Sequence, residues 1–209
     1  NPSSSGLNFT SALANSSPGD VVLLEMQAYG LAGEGSYVPA EFDLAVWLAV
    51  NVGTSAGVIV IGAAGNGNQD LDDPLYQEYM NRGDSGAILV GAGSPDINHD
   101  RMFFSTYGSR VNVQGWGASV FTIGYGWYAE YGGDRNQRYT AHFSGTSSAS
   151  PFAAAASVAL QSIARTRGAN LSPIGMRDLL MDTGIPQGEG DEGHIGPFVS
   201  MPAAVDALG

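Results

Sequence analysis

The 209-residue chain predicts an α/β fold: a three-layer arrangement in which a mostly parallel, twisted sheet carries helices on both faces. Three observations carry this. Val58-Ile59-Val60-Ile61 is an apolar, β-branched run that ends abruptly in Gly62-Ala63-Ala64-Gly65-Asn66-Gly67-Asn68, the pattern of a buried parallel-type strand opening into a loop. Extended runs alternate along the chain with helical stretches, and such alternation places consecutive strands parallel with helices over both faces. No internal stretch is rich enough in Pro, Gly or charge to act as a linker, so residues 1–209 read as one domain with one sizeable core.

The elements follow in order. Asn1 to Asp20 reads as a helix, Leu7 to Ala14, and a loop; Val21 to Gln27 follows as a strand. Glu41 to Asn51 is an amphipathic helix, with Phe42, Val46, Trp47 and Val50 on one side. Val58–Gly62 and Ala87–Gly91 are core strands, and the pieces around Val111–Val113 and Val120–Ile123 are extended. Ser147–Arg165, rich in Ala and Ser, is the central helix. Ser172 caps the next helix with Pro173 at its first position, and Pro202 opens a last short one.

Two segments carry chemistry. In Phe143-Ser144-Gly145-Thr146-Ser147-Ser148-Ala149-Ser150-Pro151, Ser147 stands at the start of the central helix. Small neighbours let a substrate carbonyl approach closely, and the helix contributes partial positive charge to a hydroxyl that is otherwise a weak nucleophile. Alone, the triplet is better explained as a Ser/Thr cap before a core helix. Upstream, Asn66 at a strand end can offer its amide N–H to an oxygen that becomes negative only in the transition state. The competing explanation is an Asn-Gly turn that needs a left-handed backbone.

Together and in this order, the Ala-Ala-Gly-Asn strand end and the Gly-Thr-Ser-x-Ala-x-Pro segment resemble the subtilase family of serine proteases. Three more stretches resemble that family: Ser85 to Gly93 as its next core strand, Phe104 to Val113 as its Phe-Ser-x-x-Gly turn into another, and Leu179 to Gly184 with Ile195-Gly196-Pro197 as its closing segment. The resemblance implies a subtilisin-like fold and a secreted serine endopeptidase. Its acyl-enzyme would form on Ser147, with Asn66 in the oxyanion hole. It also implies extended-peptide binding against two strand ends, Gln27, Ala28, Tyr29 and Gly30 on one side and Ala63, Ala64 and Gly65 on the other. The small residues of the second wall leave room for a sizeable apolar side chain at P1, the substrate residue before the scissile bond, although Gln27 and Tyr29 differ from the family's commoner Ser-Leu-Gly.

The departure matters equally. Subtilases carry a catalytic Asp and His on an N-terminal strand and helix that precede all these segments, and neither motif stands in this sequence. The chain therefore reads as the C-terminal part of a subtilase catalytic domain, and its expected partners are a peptide or protein substrate and the N-terminal part of that domain. No histidine present suits the role of base: His142 lies five residues before Ser147 on an extended segment, His99 sits in a loop expected to be solvent-exposed, and His194 follows an acidic, Gly-rich stretch. In subtilisin, loss of the histidine costs on the order of 10⁶ in turnover and loss of one oxyanion donor about 10²–10³. By that resemblance the chain alone is expected to be inactive.

Composition narrows the partners. The formal charge is −12, and the eight basic residues are all Arg, so nucleic acid, whose phosphates would be repelled, is excluded as a partner. There are no cysteines and hence no disulfides. No apolar run approaches membrane-spanning length, and no basic-then-apolar signal segment opens the sequence; a signal peptide, if present, is expected further upstream. The chemistry requires no cofactor. Asp70, Asp72 and Asp73 could hold a structural calcium ion, but their spacing does not match an EF-hand loop and a solvated, turn-forming acidic loop explains them better. Glu189, Asp191 and Glu192 have the same explanation. Trp116, Trp127 and the Tyr-rich 125–139 segment read as packing and surface-loop residues that could brush a substrate. Two rival classes remain. Sedolisin-type acid peptidases place an Asp where Asn66 stands. A subtilase-like domain without its triad would bind peptides without cutting them.

Overall fold

The computed structural model describes residues 2–188, 190 and 193–209, with side chains from residue 8 onward. The acidic stretch holding Glu189, Asp191 and Glu192 lies outside the described residues. In chain order the elements are α1 (Pro2–Ala14), β1 (Val21–Leu24), β2 (Gln27–Tyr29), β3 (Tyr37–Pro39), α2 (Leu44–Ser55), β4 (Ile59–Ala63), α3 (Gln77–Met80) and β5 (Ile88–Gly93). After these come β6 (Val113–Trp116), β7 (Val120–Ile123), β8 (Ala129–Glu130), β9 (Arg138–Phe143), α4 (Thr146–Thr166), α5 (Pro173–Thr183) and α6 (Met201–Ala207).

The central sheet is parallel, in the order β1-β4-β5-β6. Period-2 alternation sends successive side chains to opposite faces, and both faces are apolar. Ile59, Ile61, Ile88, Val90 and Val113 pack against Ala149, Ala153 and Leu160 of α4 and Met176 and Leu180 of α5. Val58, Val60, Ala87 and Leu24 pack instead against Phe9 of α1 and Val50 of α2. The three-layer α/β prediction thus holds. The small residues of α4 bring the helix axis close to the sheet, and any Cβ at Gly115 of β6 would collide with the Ala149 carbonyl.

Local chemistry sets the helix ends. Asp43 Oδ1 accepts from the backbone N–H groups of Ala45 (2.8 Å) and Val46 (3.2 Å), which starts α2 three residues later than the amphipathic pattern alone predicts. Ser172 Oγ accepts from Gly175 N–H at 3.0 Å, with Pro173 at the first helical position as expected. Removing this cap in Ser172→Ala is expected to lower stability by about 1 kcal/mol. A denaturation midpoint equal to that of the parent protein would show that water serves the exposed N–H equally well.

Two small antiparallel sheets depart from the sequence prediction. The single strand expected over Val21–Gln27 is two: β1 joins the parallel sheet, while β2 turns away after Met26 and pairs with β3 in the register Gln27↔Pro39, Ala28↔Val38, Tyr29↔Tyr37. Ahead of Ser147, β7, β9 and β8 form a ribbon in that order. Part of the 125–139 segment is therefore strand. Its rings contact Phe121 of β7, which meets Tyr128 edge to face with centroids 5.3 Å apart and stacks on Tyr139 at 6.1 Å. Both sheets depend on pairing between distant residues, which hydrophobic period does not encode.

Candidate active site

Ser147 is the second residue of α4, and the turn that presents it is fixed from three sides. Gly145 sits at φ 108°, a left-handed conformation that favours glycine. Its N–H donates to Gly117 O (2.9 Å), and its carbonyl accepts from both Ser148 N–H (3.0 Å) and Ser148 Oγ (3.0 Å). Ser148 Oγ also reaches Trp116 O at 2.8 Å. The turn is thereby tied to the C-terminal end of β6. Thr146, Ser148, Ala149 and Ser150 are buried, whereas Ser147 retains partial exposure. Pro151, which has no N–H, removes the helical bond that the Ser147 carbonyl would otherwise accept.

The third side is Asn66. Its Oδ1 accepts from Thr146 N–H (2.8 Å) and from Thr146 Oγ1 (2.9 Å). Thr146 Oγ1 in turn accepts from Gly65 N–H at 3.2 Å. Because two donors occupy Oδ1, the amide orientation is determined and Nδ2 takes the other branch, beside Gly145. An N–H donor is thus held next to the turn that carries Ser147, the arrangement an oxyanion hole needs. Thr146, not singled out in the sequence reading, is the residue that links strand end to helix start; its place inside the Gly-Thr-Ser triplet was the available signal.

The two strand ends expected to bind a peptide are tied together. Gln27 and Tyr29 are exposed, and Ala28 and Gly30 are half-buried. Gln27 Oε1 accepts from Asn66 N–H at 3.0 Å, a cross-link between the two walls that the sequence gives no sign of. Ala63, Ala64 and Gly65 are buried. β3 lies against this strand end, and a Cβ at Gly65 would stand 2.8 Å from Tyr37 O, a packing that follows from the β2–β3 hairpin, whose fold the sequence pattern does not reveal.

No side chain among the described residues hydrogen-bonds the Ser147 hydroxyl. His142 is exposed on β9, and its backbone N–H donates to Thr140 Oγ1. His194 is exposed as well. His99 is not exposed as expected but 8% accessible, stacked flat on Phe198 with centroids 4.5 Å apart. A left-handed turn at His99 itself, φ 54°, folds the ring back onto the protein.

The acidic loop is committed to turns. Asp70 Oδ1 accepts from Asp72 N–H, Asp72 accepts from Ser109 N–H and Oγ, and Asp73 Oδ1 accepts from Leu75 N–H. Among the described residues no group of three His, Cys, Asp or Glu side chains is placed to hold a metal ion.

Comparison with known proteins identifies the family. The family model described as Peptidase_S8, Subtilase family, matches residues 13–196. A thermostable alkaline protease of Halalkalibacterium halodurans is 34% identical over 116 residues, 55% of this chain and 27% of that protein. Subtilisin-like protease 3 of Saccharomyces cerevisiae is 37% identical over 114 residues, 54% of this chain and 20% of that protein. The chain thus matches about a quarter of the length of these relatives. Among solved structures, a lanthipeptide protease superposes with a TM-score of 0.74 at 16% identity, covering 100% of this chain and 67% of that one, a likeness of fold. With the sheet, the Asn66–Thr146 link and the Gly-Thr-Ser turn in place, the chain belongs to the subtilase family of serine peptidases.

Proposed function

We propose that this chain is the C-terminal portion of a secreted subtilisin-type serine endopeptidase domain, with Ser147 as nucleophile and Asn66 as oxyanion donor. The observation that carries this reading is the double acceptance at Asn66 Oδ1, which leaves Nδ2 free beside the nucleophile turn. In the proposed step, Ser147 Oγ attacks the scissile carbonyl, its proton passes to a histidine, and the negative carbonyl oxygen receives the Asn66 N–H. The histidine returns the proton to the leaving amine, and water then hydrolyses the acyl-enzyme. No cofactor enters this chemistry.

The histidine and its orienting aspartate are proposed to come from a part of the catalytic domain N-terminal to these segments. In support, β1 pairs only with β4 among the described residues and presents an unpaired edge, with Leu23 exposed. An open, apolar strand edge favours addition of another strand. Beside it, a cavity of about 460 Å³ runs between β1 and α4, lined by Val21, Val158 and Gln161 among others. Strands added to that edge would cover both features.

A serine-directed fluorophosphonate tests the reading. Labelling should be absent in this chain alone, present when the N-terminal segment is supplied, and lost again in Ser147→Ala. Failure to label in every form would favour the second reading, a subtilase-like domain that binds peptides without cutting them.

A further inference from the structure

The two residues that flank Ser147 are each hydrogen-bonded to the end of a different strand. Thr146 is held by Asn66, which follows β4. Ser148 is held by Trp116, the last residue of β6, through a contact of 2.8 Å from its hydroxyl to the Trp116 carbonyl. The Ser148 hydroxyl also lies 3.0 Å from Gly145 O, but that oxygen already accepts the Ser148 backbone N–H. A hydroxyl has one proton to give, and the shorter contact, to Trp116 O, is the one it serves. The side chain is 2% exposed, so water does not compete for that proton.

The helix itself gives the nucleophile little support. Pro151 has no N–H, so the Ser147 carbonyl lacks its helical donor and the first turn of α4 depends on bonds to the sheet. The acceptor is firmly placed. The Trp116 ring lies 5.8 Å from Phe152, one helical turn beyond Ser148, and stacks on Phe198 at 6.4 Å. One residue earlier, a Cβ at Gly115 would meet the Ala149 carbonyl, so β6 and the first turn of α4 touch backbone to backbone. Without the Ser148 hydroxyl, Ser147 keeps its tie to β4 on one side and loses the side-chain tie to β6 on the other. A displacement of about 1 Å at a reacting atom is enough to cost on the order of 10² in rate.

We propose that Ser148 is a positioning residue, whose hydroxyl, anchored on the Trp116 carbonyl, sets the place of the Ser147 nucleophile relative to the oxyanion donor. This rests on the peptidase reading above, and the test keeps the two apart. In the full-length protein that contains this chain, the rate of capture by a small fluorophosphonate is measured, together with kcat and KM for a peptidyl p-nitroanilide. Two variants are compared with the parent. Ser148→Ala deletes the hydroxyl with a residue that favours helix. Ser157→Ala does the same at a fully buried serine of the same helix whose hydroxyl has no hydrogen-bond partner among the described residues. Ser148→Ala is expected to lower kcat and the capture rate by about 10- to 10²-fold with KM within about 2-fold of the parent, because only the geometry of attack has changed. Ser157→Ala is expected to leave all three as they are. Parent-like kcat and capture in Ser148→Ala would overturn the inference and leave the peptidase reading intact. So would equal losses in both variants, which would trace the effect to buried volume in α4 and not to the Trp116 bond. A parent protein that neither cleaves nor labels would sink the peptidase reading and the inference with it.

Discussion

In the full-length protein, Ser147→Ala is expected to lower peptide turnover by about 10⁶-fold, while Asn66→Asp lowers it by about 10²–10³. Both magnitudes belong to subtilisin, a member of the same family, and are carried over with the roles. The choice of Asp at position 66 separates the two jobs proposed for this side chain. As an acceptor it holds Thr146 N–H and Oγ1 at 2.8 and 2.9 Å, and so helps to start α4. A carboxylate keeps that acceptance, and negative charge near a helix N-terminus is itself stabilising. As a donor it is replaced by an oxygen, which cannot stabilise an oxyanion. The change should therefore reduce kcat with KM nearly constant, since the lost N–H acts only in the transition state, and it should leave the thermal midpoint close to that of the parent. An equal loss in thermal midpoint and in kcat would reassign Asn66 to a structural role.

The largest expected effect on stability comes from a buried ionic cluster behind the site. Arg110 Nη2 contacts Glu41 Oε1 at 2.8 Å, and Glu41 also accepts from Tyr79 O–H (2.6 Å) and Ser85 Oγ (2.5 Å). Glu41 and Tyr79 are 2% exposed and Arg110 9%. Burial, and then the charge of Glu41, push the Tyr79 phenol well above its ordinary range, so that it remains protonated and donates. Burial works against the Arg110 charge, but Glu41 and then Tyr79 and Asp84 more than offset it. The cluster joins the turn before α2, helix α3, the start of β5 and the approach to β6; Arg177 on α5 joins it through Asp84 at 2.6 Å. In Arg110→Met the Glu41 carboxylate stays buried without its countercharge, and a loss of about 3–5 kcal/mol is expected in urea unfolding. Arg110→Met combined with Glu41→Leu should lose less than Arg110→Met alone, because no uncompensated charge remains. A double variant less stable than the single would show that the pair contributes net attraction beyond relief of a buried charge.

This cluster also shows where sequence reading stops. Glu41 and Phe42 belong, by pattern, to an amphipathic helix that starts at Glu41. The structure ends a short 3-10 turn there and begins α2 at Leu44, because Asp43 caps the helix and Glu41 is drawn inward to Arg110, 69 positions away. No local period announces such a pair.

The parallel core was legible because its signals are local: β-branched runs that end in glycine, Ala-rich helical stretches, and Ser172-Pro173 at a helix start. Ser147 and Asn66 were legible for a related reason, since each sits where one regular element ends or begins and carries a short motif. The course of the segment after Met26, the pairing of the ribbon around Tyr139, and the inward turn of His99 onto Phe198 were not. Each is settled by contacts with residues remote in sequence, where small differences in burial and hydrogen bonding choose among conformations that the local chain tolerates equally. The sequence by itself thus determined the core layers and the two residues proposed for the chemistry. Only the tertiary structure decided how Asn66 is oriented, through Thr146 and Gln27, and that β3 packs against the strand end that carries it, because both depend on which backbone lies against Gly65 and Gly67.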